Sequence, residues 1–177
     1  GRGLRQGLSL SSQAAAIDKA FRPRNLVAVA LSVNSPGGSA VQSALIAKRI
    51  RDLAGENDVP VIAFAEDIAA SGGYWLACAG DEIFANESSI IGSIGVVSGG
   101  FGFAELIKKM GVERRLHTAG DKKAMLDPFT PEKPADVKHL KSLQREIHET
   151  FTEMVRARRG ERLIGADKNI FSGAFWT

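Results

Sequence analysis

Two short stretches bring together residue types able to make and break an acyl bond. In Asn34-Ser35-Pro36-Gly37-Gly38, paired glycines stand where a strand-like run gives way to a helical one. Glycine leaves backbone N–H groups uncovered by a Cβ. The start of a helix adds the positive end of its dipole, so this turn suits an oxyanion or another anion. The plain alternative is a tight turn. It is not a phosphate loop, because the Walker spacing with its Lys-Ser/Thr is missing. The second stretch is Ala69-Ala70-Ser71-Gly72-Gly73-Tyr74-Trp75. A serine flanked by small residues can sit on a sharp strand-to-helix turn with its hydroxyl exposed and the next N–H available. The flanking residues are not the Gly-x-Ser-x-Gly of the α/β hydrolases, and Ser71 can equally cap the helix that follows. Taken alone, the cap is the simpler reading.

A nucleophilic serine needs a base. The histidines are His117, His139 and His148. The last two belong to a long charged helical stretch beside Lys138, Lys141 and Arg145 and read as solvated, which leaves His117 as the imidazole candidate. The other option is a lysine, which accepts a proton only when burial keeps it neutral. Lys122 and Lys123 precede apolar Ala124-Met125-Leu126 in a polar loop, so one of them can turn inward; solvated charge is the commoner fate of such a pair.

The elements that must position these residues alternate. Leu26 to Val33 reads as a buried parallel strand, Ser39 to Leu53 as a helix with one apolar face, and Pro60 to Ala65 as a second strand. Asp67 to Ala70 reads as a loop, Ser71 to Ala79 as a short helix, and Glu82 to Ala85 as a third strand. Ile90 to Val97 and Val112 to Thr118 are strand-like, while Phe101 to Met110 and Pro134 to Arg159 are helical. A helix over Ser9 to Phe21, capped by Ser11 or Ser12, comes first, after a basic, glycine-rich start from Gly1 to Gly7. Repeated strand-turn-helix units mean α/β with a mainly parallel sheet, whose working residues sit on turns after strand ends.

Composition sets the frame. The chain has 177 residues, 44% hydrophobic and 24% charged, which fits one domain and excludes disorder and coiled coil. One cysteine excludes an internal disulfide framework and a Cys-rich zinc site, and Cys78 reads as a small buried apolar residue. No apolar run has the length of about 20 residues that a bilayer demands, and no signal peptide opens the chain. The net charge of +3 is too small to argue for nucleic acid. Glycine is the deviation: most of the 19 lie between residues 34 and 120.

In order along the chain, Val33 to Gly38, Ala70 to Tyr74, Ala85-Asn86 and Ile91-Gly92-Ser93-Ile94-Gly95-Val96 form one series of motifs. Leu106 to Gly111 before Val112, the Lys-x-x-x-x-Pro of Lys123 to Pro128, and the helix end Val155 to Gly160 complete it. The series resembles the signal peptide peptidase A (protease IV) family, serine peptidases of the Clp/crotonase fold, built of stacked ββα units. The resemblance implies a Ser/Lys dyad with Ser71 as nucleophile and Lys123 as base, because the family's lysine stands five residues before the proline, as Lys123 does before Pro128. It implies an oxyanion hole from the N–H groups of Gly72 and Gly38, with Pro36, Gly37 and Gly73 against the substrate. Neither a cofactor nor a metal is expected. The implied substrate is an apolar peptide such as a released signal peptide. A ring of identical subunits and a membrane-anchored parent with its catalytic part outside the cytoplasm are also implied, with no nucleic-acid partner. This stretch itself would be soluble, and any membrane contact would come from a segment outside it.

Residues 1–177 are thus expected to form a single peptidase domain cut at both ends, since the family's anchor, first strand and closing helix and strand are missing. Two rival readings share the fold. A crotonase-type acyl-CoA enzyme would use the same backbone donors with Glu66 or Asp67 as acid/base and no serine nucleophile. A catalytically inactive scaffold would need neither Ser71 nor Lys123.

Overall fold

Apolar alternation and helical periodicity alternate along the first half of the chain, and the backbone follows them. A computed structural model describes residues 7–165 and 167–177, so the expected basic start lies, but for Gly7, outside the described residues. Two compact units result, one from residues up to 95 together with 148–177, the other from 96–147.

In the first unit, α1 (Leu10–Ala20) is capped by Ser9, upstream of the expected Ser11 or Ser12, in a reciprocal box with Ser12. It lies on α2 (Ala40–Asn57), held by Arg49–Asp18 at 2.8 Å and by the Leu10 N–H donating to the Gln42 side chain. Between them in sequence runs β1 (Val29–Ser35), parallel to β2 (Val61–Ala70). A parallel pair needs a crossover, which α2 supplies.

Then come α3 (Gly72–Ala77), β3 (Glu82–Ala85) and β4 (Ile90–Gly92). β2 is central: β1 takes one edge, and β3 and β4 pair in succession along the other. Ile46, Ile50 and Leu53 of α2 pack with Val29, Val61, Trp75 and Leu76. At an upper rate of about 2 kcal/mol per fully buried aliphatic side chain, this layer is the main source of stability.

The expected loop over Asp67 to Ala70 is instead the end of β2. Pairing advances from Val33↔Ala65 to Ser35↔Ala69, so β2 carries two more residues than β1 here. Glu66 and Asp67 are consequently both exposed, which breaks the alternation without ending the strand.

The second unit holds α4 (Ala104–Lys109) and a run of turns. The Phe103 and Phe129 rings lie 5.6 Å apart, the Arg114 guanidinium sits 5.0 Å over Phe129, and Arg114 pairs with Asp127 at 3.1 Å. The expected strand over Val112 to Thr118 does not form. Those residues are exposed throughout and pair with no strand among the described residues. The helix α5 (Pro134–Arg159) runs from this unit into the first. His148, expected to be solvated, lies with its Nε2 3.1 Å from the Ile94 carbonyl oxygen; a carbonyl only accepts, so Nε2 carries the proton. After α6 (Asp167–Ile170), β5 (Phe175–Trp176) pairs antiparallel with β4.

Asp81 ties three of these elements together. Its carboxylate accepts from the Val61 N–H at 2.9 Å, Arg51 at 3.0 Å and Arg158 at 3.0 Å. Burial pushes its pKa up, but the Val61 N–H and the two guanidinium groups outweigh it and hold the carboxyl below its ordinary range. The folded state therefore binds fewer protons than the unfolded chain. This contribution is present above the ordinary aspartate pKa of about 4 and is lost as pH falls through the lower folded value. Asp81→Asn is expected to cost about 1–2 kcal/mol at neutral pH, moderated by partial exposure. Paired denaturant titrations should show the difference from wild type shrinking in acid; a difference that grows there would refute the assignment.

Candidate active site

The chain reverses sharply at the end of β2. Ser71 has φ 52° and ψ −124°, a conformation that is strained for a residue with a Cβ. Its N–H donates to the Gly92 carbonyl at 2.8 Å, and its own carbonyl accepts from the Trp75 N–H at 3.0 Å, which starts α3. The hydroxyl makes no capping bond to that helix, so the simpler role open to it in the sequence is not the one it plays. A strained serine between a strand and a helix is the geometry of a nucleophile elbow.

The glycine turn after β1 lies against it. Gly37 has φ +114°, and a Cβ there would stand 2.7 Å from Ser71 Cβ, 3.0 Å from Ser71 Oγ and 3.0 Å from the Gly72 nitrogen. A Cβ on Gly72 would in turn meet the Gly38 nitrogen at 3.2 Å and Ser43 Oγ at 2.5 Å; one on Gly73 would stand 2.2 Å from the Ser35 carbonyl. Two backbone turns can approach this closely only where side chains are absent. The Gly38 nitrogen therefore lies close to the Gly72 backbone, and the Gly37 turn close to both the Gly72 nitrogen and the Ser71 hydroxyl. Gly37→Ala is expected to cost about 2–3 kcal/mol, through both its φ and its contact with Ser71. A denaturation midpoint equal to wild type would show that the two turns do not meet so closely.

Pro36, Gly37, Gly38, Ser71, Gly72 and Gly73 are therefore brought together. Lys122 and Lys123 belong to the 96–147 unit, where both are exposed in the run of turns before Pro128. His117 and His139 are exposed in the same unit. Glu66 accepts from the Ser32 hydroxyl and from Asn34 Nδ2, and Asp67 accepts from the same Asn34 nitrogen at 3.0 Å. Both carboxylates are thus engaged by side chains of β1. Cys78 is fully buried and its thiol is pushed up to about 12, chiefly by burial, so it offers no thiolate at neutral pH. Tyr74, beside it, is raised in the same direction and for the same first reason.

Two neighbours of the site escaped the sequence reading. Ser43 is 5% exposed beneath Gly72, and its signal was a lone hydroxyl on an otherwise apolar helix face. Gly92 stood in the motif series over 91–96, but its carbonyl bond to Ser71 depends on a pairing that no local pattern encodes. Among the described residues, no group of three or more His, Cys, Asp or Glu side chains is placed to hold a metal ion. No described helix is long and apolar enough to cross a membrane.

Comparison with known proteins bears on this arrangement directly. The chain is 59% identical over all 177 residues to a Brucella melitensis protein named Na(+)/H(+) antiporter NhaA, of which it covers 24%. It is 32% identical over 153 residues to the Arabidopsis thaliana serine protease SPPA, chloroplastic (85% of this chain, 22% of that one). It is 43% identical over 94 residues to protease 4 of Haemophilus influenzae (53% of this chain, 15% of that one). The chain thus spans a quarter or less of each of these relatives. A sequence model of peptidase family S49 matches residues 54–174, which include Ser71, Gly72, Gly73 and Lys123. With its mainly parallel sheet and its strand-to-helix serine, the chain belongs to peptidase family S49, the signal peptide peptidase A family of serine peptidases with the Clp/crotonase fold.

Proposed function

We propose that this chain is the catalytic part of a serine endopeptidase that cleaves apolar peptides, released signal peptides among them, through a Ser71/Lys123 dyad. The observation that carries the reading is the backbone of Ser71, held at φ 52° on the strand-to-helix turn against Gly37 with its hydroxyl left out of the helix cap. Strain of this kind persists only where the surroundings impose it, and it clusters at reacting groups.

In this mechanism Ser71 Oγ attacks the carbonyl carbon of the scissile bond while neutral Lys123 Nζ takes the hydroxyl proton. The C=O electrons move onto oxygen, and the Gly38 and Gly72 N–H groups stabilise that charge. As the tetrahedral intermediate collapses, the C–N bond breaks and Lys123 returns the proton to the departing amine. Water then attacks the Ser71 ester with Lys123 again as base, releasing the carboxylic acid and restoring the hydroxyl. Pro36, Gly37 and Gly73 line the path of the peptide backbone. Lys123 is exposed in the single chain, and a base lysine must be shielded from water. Assembly of identical subunits into a ring would supply that cover. The parent protein is read as membrane-anchored, with this part outside the cytoplasm.

The reading is tested with a fluorophosphonate probe, followed by peptide mapping. A single covalent adduct at Ser71 is the expected result, and it would dispose of the acyl-CoA and inactive-scaffold alternatives together. A chain that hydrolyses an apolar peptide ester yet takes its adduct at another residue, or none, would overturn the assignment.

A further inference from the structure

We propose that the edge strand Phe175–Trp176 is a positioning clamp for Ser71, acting through Gly92; the proposal rests on the reading of Ser71 as the nucleophile. The amide of Ser71 is bonded to the Gly92 carbonyl at 2.8 Å, so where Gly92 stands helps decide where the serine stands. Gly92 belongs to β4, a strand of three residues between β2 and β5. A three-residue strand left at the edge of a sheet frays readily. β5 removes that edge: Ile91 pairs with Trp176 and Gly92 with Phe175, and the Ser93 N–H donates to the Ala174 carbonyl at 2.6 Å.

The contact is also steric. A Cβ on Gly92 would stand 2.8 and 2.9 Å from two carbons of the Trp176 ring, so the indole lies directly on the Gly92 backbone. Ser93, the next residue, has φ 54°, and thus two strained serines, 71 and 93, flank the carbonyl of Gly92 in the hydrogen-bond pattern. Phe175 is 63% and Trp176 44% exposed, so their share in the core is small while their hold on Gly92 is direct. The family match ends at residue 174, before this pair. Trp176 is accordingly a positioning residue.

Trp176→Ala, Trp176→Leu and Trp176→Phe in the full chain test it, with three readouts: amide exchange at Ser71 and Ser93, the labelling rate of Ser71 by a fluorophosphonate, and the thermal midpoint. In Trp176→Ala, Ser71 exchange is expected to rise, and labelling to fall, by about tenfold, with kcat reduced and KM unchanged. Trp176→Phe should restore both to within about threefold, because a flat ring still covers Gly92, while the thermal midpoint moves little in either. Unchanged exchange and labelling in Trp176→Ala overturn the clamp. If that variant fails to fold, Trp176→Leu decides: rates equal to those of Trp176→Phe overturn the clamp, and slower labelling supports it. A wild-type chain that takes no label at Ser71 defeats the nucleophile reading, and with it any role for the clamp in catalysis, whereas amide exchange still reports whether β5 holds Gly92.

Discussion

Ser71→Ala is expected to lower kcat/KM on an apolar peptide ester by at least about a thousandfold, leaving only what the oxyanion donors and binding provide. The companion variant is more telling about structure. Alanine keeps a Cβ and therefore keeps the strain at φ 52°, ψ −124°, whereas glycine adopts that region freely. Ser71→Gly should be equally inactive yet more stable than Ser71→Ala by about 1 kcal/mol, after its larger unfolded-state entropy is offset. Denaturant titration reads this as a higher midpoint at an unchanged slope. A glycine variant no more stable than the alanine one would mean that residue 71 is not strained in solution, and the observation behind the nucleophile reading would be lost. The contrast is the usual exchange of stability for activity at a reacting group.

What the sequence made legible follows from which interactions are local. Glu82 to Ala85 was readable as a strand, and Pro134 to Arg159 as a helix, because each carries its own period and end signals. Asp67 to Ala70 looked like a loop because a pairing irregularity exposes Glu66 and Asp67 in succession, and pairing is a property of two strands. Val112 to Thr118 has strand composition but pairs with no strand among the described residues, and composition alone does not make a strand. His148 lies among charged residues in sequence, yet its ring meets the Ile94 carbonyl, a contact spanning 54 positions.

The site divides in the same way. Gly37, Gly38, Ser71, Gly72 and Gly73 announce themselves as glycine turns after strands, which a single sequence can show. That the two turns leave no room for a Cβ at Gly37, and that Ser71 takes positive φ beside it, appears only in three dimensions. Trp176 carried no signal at all, since its relevance comes from lying on a glycine that holds another residue's amide.

Lys123 is the base of the proposed dyad, and its replacement is the sharpest test of that mechanism. Lys123→Ala is expected to reduce kcat by about a hundredfold to ten-thousandfold, the range in which a lost general base falls. Lys122→Ala should stay within about threefold, since the proposed mechanism gives Lys122 no part in the proton transfer. Among the histidines, His117 and His139 are exposed as Lys123 is, so their replacement is the control, while His148 Nε2 meets the Ile94 carbonyl. Exposure of Lys123 sharpens the expectation further. Water stabilises the ammonium form, so a lysine that accepts a proton must be covered when it does so, by an apolar peptide or by a neighbouring copy of the chain. Activity should therefore depend on assembly, falling on dilution below the concentration at which copies associate. Small primary amines added to Lys123→Ala should restore part of the lost rate, because they supply the missing proton acceptor at the vacated position. Loss of activity in Lys122→Ala or His117→Ala with Lys123→Ala still active would assign the base elsewhere.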